Sequence, residues 1–569
     1  MKRSNLYPRE YRYIGFLGIW LLISYLLFTW NFPMTDTVES NYALTALTMI
    51  EHNNYISPMI YDVYWYDKPI WTYWMLIASF KLFGVSDFAA RLPFAICAML
   101  NGLAMYIGVR TLFKRVRLAL WSAIILGTSL EFWYISHAVL TDGFLFLFTQ
   151  GIFFSAYQGL RRQAKKPFIL AYICAGLAVL TKGPIGLILP GLILLVYITL
   201  FERQKKQYAL LFNPLGILAF GVVALPWYGL MYSLHGMNFI EEFLGLHNYV
   251  RATIPEHPEQ NWWWLYFALA PVSLFPWTGL TIYECIQRYT QSKHAKEDPN
   301  RTIEPLHWWP YALTWALGVF VFYNLMATKY LTYTFLCLIP LAVCTAQGGM
   351  RLWLNHKHTF KLGAALLMVP LLAITIPGLI ILVYQLLTLN NSAPEAQLIP
   401  NSVSALLVIL VAVSLLVLPL IVAIRRQSMR SVFAGTAISI SLFYIVLLNL
   451  LPPLVNQAST KELARILPIE ANTKVYYYRD YRTSLVYYSG HEVTQIISPE
   501  EENNLWSEGK NVMPTTTVNG AIASTATETD FIILVPHKYN SNFTTTPLAH
   551  NTYEWGRLGN IIIYMSKSM

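Results

Sequence analysis

The chain has 569 residues, of which 56% are hydrophobic and only 12% charged, where a soluble domain carries about a quarter charged residues. That balance excludes an ordinary soluble enzyme and predicts a polytopic α-helical membrane protein. The formal net charge of +10 comes from basic residues gathered in alternate loops, with no basic groove interleaved with aromatics, so no nucleic-acid partner is expected.

A bilayer core about 30 Å thick takes about 20 apolar residues per helix. Runs of that kind predict about thirteen spans, near 14–30, 88–112, 117–135, 139–160, 167–181, 184–201, 209–233, 263–285, 307–327, 330–347, 361–388, 402–424 and 431–451. The first run follows charged residues and lacks an Ala-x-Ala type cleavage site, which reads as a retained helix with a cytoplasmic amino terminus. Lys2, Arg3, Arg9 and Arg12, then Lys114-Arg115, Arg161-Arg162-Lys165-Lys166, Arg203-Lys205-Lys206, Arg288 to Arg301, Arg351 to Lys361 and Arg425-Arg426-Arg430 fall on one side of this layout. By the positive-inside rule that side is the cytoplasm.

Residues 31–87 make a first external loop far longer than a connector, and such loops carry function or helices of their own. TVESNYALTALTMIEH has the pattern of an amphipathic surface helix, and IWTYWMLIASFKLFG, interrupted by Lys81, suits an interfacial segment. Cys97, Cys174, Cys285, Cys337 and Cys344 all fall in expected spans without a C-x-x-C pair, so they read as small core residues. Trp262-Trp263-Trp264 reads as part of an interfacial aromatic belt.

After an odd number of spans the chain beyond Pro452 lies outside, which divides it into a transmembrane domain, 1–453, and a soluble α/β domain, 454–569. KVYYYRDY (474–481), SLVYYSG (484–490), FIILVPH (531–537) and NIIIYMS (560–566) have strand composition, STKELARIL and PEEENNLW read as short helices, and the Thr/Ser-rich stretch 514–529 as a loop.

The external ends of the spans collect Asp36, Glu39, Asp67-Lys68-Pro69, Asp87, Arg91, His137, Asp142, Lys182-Gly183-Pro184, His247-Asn248, Arg251 and Lys329. A charge at the bilayer centre costs about 2.5–3.5 kcal/mol, so any one of these at an interface is ordinary. Their gathering on one face points to a site. A transporter would instead place ionisable groups inside several spans. No Walker motif or G-x-G-x-x-G fingerprint is present, which argues against a nucleotide-driven pump or a nucleotide-sugar site.

The succession D-x-x-E-S-N-Y-A, W-Y-D-K-P, G-V-S-D-F-A-A-R-L-P, A-V-L-T-D-G, L-T-K-G-P, L-P-W-Y, H-N-Y-V-R and A-T-K-Y-L-T-Y resembles the glycosyltransferase C superfamily. More narrowly it resembles bacterial 4-amino-4-deoxy-L-arabinose transferases and enzymes similar to protein O-mannosyltransferases. The resemblance implies a polyprenyl-phosphate sugar donor, inversion at the sugar carbon, and an acceptor such as lipid A, another envelope glycan or a protein, on the outer face of the cytoplasmic membrane. It implies Asp36, Glu39 and Asp142 as catalytic carboxylates, and Lys68, Arg91, Lys182, Arg251 and Lys329 as cations for the donor phosphate. Asp67 is implied as a ligand for a divalent cation, and Tyr42 and His247 as further site residues. The family places Asp directly before Glu and a basic residue before Tyr, where this chain has Val38 and Asn41; the choice between Asp36 and Glu39 stays open. The Lys329 element lacks the Pro of the usual Lys-Leu-Pro-x-Tyr.

Overall fold

The computed structural model describes residues 8–255, 258, 261–297, 308–354, 356–392, 402–497, 515–517, 521 and 530–567. In hydrocarbon every backbone N–H and C=O must be satisfied within its own segment, which is why the apolar runs are helical. The chain enters as α1 (Pro8–Leu26) and leaves the bilayer region for α2 (Val38–Glu51), the two-residue strands β1 (Met59–Ile60) and β2 (Val63–Tyr64), and α3 (Trp71–Phe83). It returns through α4 (Asp87–Phe113), whose first turn is capped by the Ser86 hydroxyl accepting from the Ala89 N–H at 3.2 Å. Next come α5 (Val116–Gly127), α6 (Leu130–His137), α7 (Asp142–Arg162), α8 (Lys165–Lys182), α9 (Ile185–Tyr197), α10 (Lys205–Leu211) and α11 (Pro214–Ile240). A π-helical segment, Glu241–Val250, runs into the single turn α12 (Arg251–Thr253). Then follow α13 (Leu265–Ser273), α14 (Thr278–Glu297), α15 (Trp308–Leu325), α16 (Leu338–Leu354), α17 (His356–Ser392), α18 (Ser402–Arg425) and α19 (Met429–Leu450).

Among the described residues 8 helices are long and apolar enough to cross a membrane, or up to 10 if two bent pairs each count as one span. The pairs are α5 with α6, bent by 63°, and α13 with the start of α14, bent by 103°. Three of the expected spans correspond to α7, α8 and α15, which are long enough but too polar or aromatic to pass on apolarity. Length and composition therefore do not establish thirteen spans. Small residues permit the close packing: a Cβ on Gly186 would lie 2.5 Å from the Ala178 carbonyl carbon, so α8 and α9 fold against each other only with glycine there.

Beyond α19 lie α20 (Pro452–Asn456) and α21 (Lys461–Ile466). They lead into a six-stranded sheet of β3 (Lys474–Tyr478), β4 (Val493–Ile497), β5 (Thr515–Thr517), β6 (Phe531–Pro536), β7 (Thr552–Leu558) and β8 (Ile561–Ser566), in the spatial order β5-β4-β3-β6-β8-β7. The β3–β4, β3–β6 and β4–β5 pairs are parallel; β8 runs antiparallel to both β6 and β7.

One expected strand is a helix. SLVYYSG folds as α22 (Thr483–Ser489), because parallel β3 and β4 can be joined only by a crossover, and a helix there buries Leu485 and Tyr487. Part of the expected 514–529 loop is β5. The PEEENNLW helix falls outside the described residues.

Candidate active site

A cavity of about 1250 Å³ forms where the loop after α1, the N-terminal end of α7, the C-terminal end of α8, the π-helical segment and the β3–α22 connection converge. Asp36, Glu39, Tyr42, Asp67, Lys68, Arg91, Asp142, Lys182, His247 and Arg251 line it. Lys329 does not; its ammonium is engaged by Asn261 Oδ1 at 2.6 Å and the Met326 carbonyl at 2.9 Å.

Five pieces of the chain deliver the basic end. Asp67-Lys68 stands in the turn before α3, Asp142 begins α7, Lys182 ends α8, and His247 and Arg251 lie on the π-helical segment and the start of α12. Lys182 is aimed by the residue after it: Gly183 takes φ 81° to end α8, and a Cβ there would come within 3.0 Å of Phe243.

Asp67 Oδ1 accepts from Lys68 Nζ at 2.7 Å and from Arg251 Nη1 at 2.8 Å, with His247 Nδ1 3.1 Å away. Lys182 Nζ donates to Asp142 Oδ1 at 2.6 Å and lies 5.0 Å from the Tyr333 ring centre. Three cations thus face two carboxylates, an excess of positive charge in a partly desolvated pocket. Burial would raise the Asp67 carboxyl, but the Arg251 and Lys68 charges overcome it and hold the group well below the usual carboxylate range. Burial, joined by the Arg251 and Lys182 charges, pulls the Lys68 ammonium below the ordinary lysine range despite Asp67.

Glu39 and Arg91 form a different kind of pair. Arg91 Nη1 and Nη2 donate to Glu39 Oε1 and Oε2 at 2.8 and 2.9 Å, with the two side chains 5% and 8% exposed. Glu39 also accepts from the Thr35 N–H and hydroxyl, at 3.1 and 2.8 Å, and from the Val139 N–H at 2.8 Å. Arg91 additionally donates to the carbonyls of Pro33 and His137. Neither has capacity left for a substrate, so the pair is a strut tying the first loop to α4 and to the link between α6 and α7. Burial works against the charge on Glu39, and the Arg91 guanidinium more than offsets it, leaving the carboxyl below its ordinary range.

Asp36 faces the C-terminal domain. It accepts from the Ser484 N–H at 2.7 Å, the Ser484 and Ser40 hydroxyls at 2.5 and 3.0 Å, and the Thr483 hydroxyl at 3.4 Å. It therefore caps α22 from a distant part of the chain. Burial raises its carboxyl even against those hydrogen bonds. Asp87 makes a parallel tie, accepting from the Tyr488 hydroxyl at 2.5 Å and pairing with Lys461. Tyr42 is buried in α2 with its ring 5.8 Å from that of Tyr73.

The donor set does not fit a resident divalent cation at Asp67: its inward oxygen already meets Lys68, Arg251 and His247. Among the described residues no group of three or more His, Cys, Asp or Glu is placed to hold a metal ion. The cavity also has a wall absent from the sequence-based set, formed by Arg479, Asp480, Tyr481 and Gln495 of the C-terminal domain. No local motif marks these residues.

The family model for dolichyl-phosphate-mannose-protein mannosyltransferase matches residues 67–227. An undecaprenyl phosphate-alpha-4-amino-4-deoxy-L-arabinose arabinosyl transferase 2 of Proteus mirabilis is 26% identical over 344 residues, 59% of this chain and 60% of that protein. The corresponding transferase of Pseudomonas aeruginosa is 26% identical over 347 residues, with 59% and 60% covered. These matches span about three fifths of the relatives' own length. In structure the likeness extends further: ArnT from Cupriavidus metallidurans bound to undecaprenyl phosphate superposes with a TM-score of 0.73 over 97% of this chain and 98% of that one, at 19% identity. Its apo form gives the same TM-score with 98% of each chain covered. The chain has the glycosyltransferase C fold and resembles the ArnT proteins from its first helix through its C-terminal sheet.

Proposed function

We propose that this integral membrane protein transfers a sugar from an undecaprenyl-phosphate donor to a lipid A-type acceptor on the outer face of the cytoplasmic membrane, with inversion. The observation that carries this reading is the convergence of Lys68, Lys182 and Arg251 on one end of a large cavity, two of them in the matched region 67–227. In the reaction the bond between the sugar C1 and the donor phosphate oxygen breaks, and its electron pair stays on the phosphate. The acceptor oxygen forms the new bond to C1 from the opposite face. Lys68, Lys182 and Arg251 stabilise the charge on the departing phosphate, the role of fixed cations in a water-poor site. Asp67 and Asp142 hold those cations together against mutual repulsion. Asp142 accepts at Oδ1 from Lys182, and its other oxygen meets no donor among the described residues. It takes the proton of a hydroxyl acceptor; a phosphate acceptor arrives already ionised and needs none.

The test is transfer by the purified protein from undecaprenyl-phosphate aminoarabinose and undecaprenyl-phosphate hexoses, offered lipid A, a Ser/Thr peptide or a glycan oligomer. Transfer to lipid A is the expected result. Selective transfer to the peptide or oligomer would replace the acceptor, and no transfer from any donor would overturn the enzyme reading.

A further inference from the structure

Among the described residues five carboxylates line the cavity, and only Asp480 stands outside both the hydrogen-bonded struts and the cation cluster. Glu39 is saturated by Arg91, Thr35 and Val139, Asp36 by α22, Asp67 by its cations, and Asp142 pairs with Lys182. Asp480 differs. Among the described residues its Oδ1 accepts only the N–H of the adjacent Tyr481, at 2.9 Å, and its Oδ2 forms a loose ion pair with Arg482 Nε at 3.7 Å, beyond hydrogen-bond range. The side chain is 33% exposed. Asp480 thus presents an open acceptor oxygen to the cavity, and Gln495 of β4 lines the same wall.

That wall is held in place by several means. Arg479 adopts φ 55°, the left-handed region that favours glycine, and its N–H donates to the Ile496 carbonyl at 2.8 Å, pinning the turn to β4. Asp36 and Asp87 then fasten α22, the helix just after this turn, to the membrane domain. A non-glycine turn in a sparsely populated conformation, rigidly mounted to face a cavity otherwise built by the membrane domain, fits a recognition element better than a simple cap.

We infer that Asp480, assisted by Gln495, is an acceptor-specificity determinant: its open carboxylate oxygen accepts a hydrogen bond from a hydroxyl or amino group on the acceptor glycan, opposite the cations that hold the donor phosphate. This rests on the transfer reaction proposed above. The division of labour follows from charge. The donor's phosphate is anionic and is drawn to Lys68, Lys182 and Arg251, which leaves the Asp480 wall to the acceptor.

The test uses the full chain in detergent with undecaprenyl-phosphate aminoarabinose and lipid A, comparing wild type, Asp480→Asn and Gln495→Ala. Loss of a hydrogen bond to a charged group corresponds to about ten- to a hundredfold in affinity. Asp480→Asn is expected to raise the KM for lipid A by about that factor, and Gln495→Ala by less. The thermal midpoint stays at the wild-type value, and the KM for the donor changes less than that for lipid A. A second acceptor with its sugar hydroxyls methylated and amines free separates the two sources of the hydrogen bond: the variant's defect persists if an amine is read and vanishes if a hydroxyl is read. Unchanged lipid A KM in both variants overturns the inference, and so does a rise in donor KM alone, which would move Asp480 to the donor end. Absence of transfer by wild type, by contrast, overturns the underlying reaction and this role with it.

Discussion

Two carboxylate–cation groups share one cavity and have opposite characters. The Glu39–Arg91 pair is bidentate, almost solvent-free and fully hydrogen-bonded by the backbone around it. The Asp67–Lys68–Arg251 group is partly exposed, the Asp142–Lys182 pair beside it is more deeply buried, and together they carry more positive than negative charge and gather several charges on one atom of Asp67. A saturated pair can only hold structure, whereas an unbalanced cluster gains by taking in an anion. Proximity to a cavity does not identify a working residue; the count of unspent donors and acceptors does.

The sharpest way to break this contrast is to cut the strut. Arg91→Ala leaves Glu39 buried and uncompensated, which costs about 3–5 kcal/mol; thermal unfolding in detergent should fall steeply and folded yield should drop, while Arg251→Ala, which leaves Asp67 paired with Lys68, should unfold near the wild-type midpoint. Activity inverts the ranking among folded variants. Lys182→Ala and Lys68→Ala should lose about 10²–10³ in kcat/KM, the scale of removing one fixed charge-stabilising donor, as read by radiolabelled sugar transfer. The Lys68 ammonium is held below the ordinary lysine range, so it loses its proton at lower pH than a free lysine. Transfer should therefore decline as pH rises, with an alkaline limb below about 10.4; Lys68→Arg should shift that limb upward. Asp36→Ala removes the α22 cap, worth about 1 kcal/mol, and should appear as faster hydrogen exchange confined to α22 and the adjacent turn. Lys329→Ala, outside the cavity, should change kcat/KM least.

Much of the helical layout was legible because hydropathy is a local signal: each expected span has a helix or a bent helix pair in its place. The bends were not, since the 63° and 103° turns depend on neighbours distant in sequence. SLVYYSG illustrates the same limit, its Val and Tyr residues having strand propensity while the parallel β3–β4 pairing demands a helix. Of the site residues, Lys68, Asp142, Lys182, His247 and Arg251 carried recognisable motifs and meet at one end of the cavity. Whether Asp36, Glu39 or Arg91 had spare hydrogen-bonding capacity was invisible, because their partners include Ser484, Val139 and carbonyls of other loops. Asp480 carried no signal at all; only folding of the C-terminal domain onto the membrane helices brings it to the cavity.

The most direct measurement is equilibrium binding of undecaprenyl phosphate to the purified wild type and to Lys68→Ala, Lys182→Ala, Arg251→Ala and Lys329→Ala at two salt concentrations. The cluster reading predicts that each of the first three variants weakens binding by about tenfold or more, with Lys329→Ala matching wild type. Equal binding by all five proteins, or selective loss in Lys329→Ala, would contradict it.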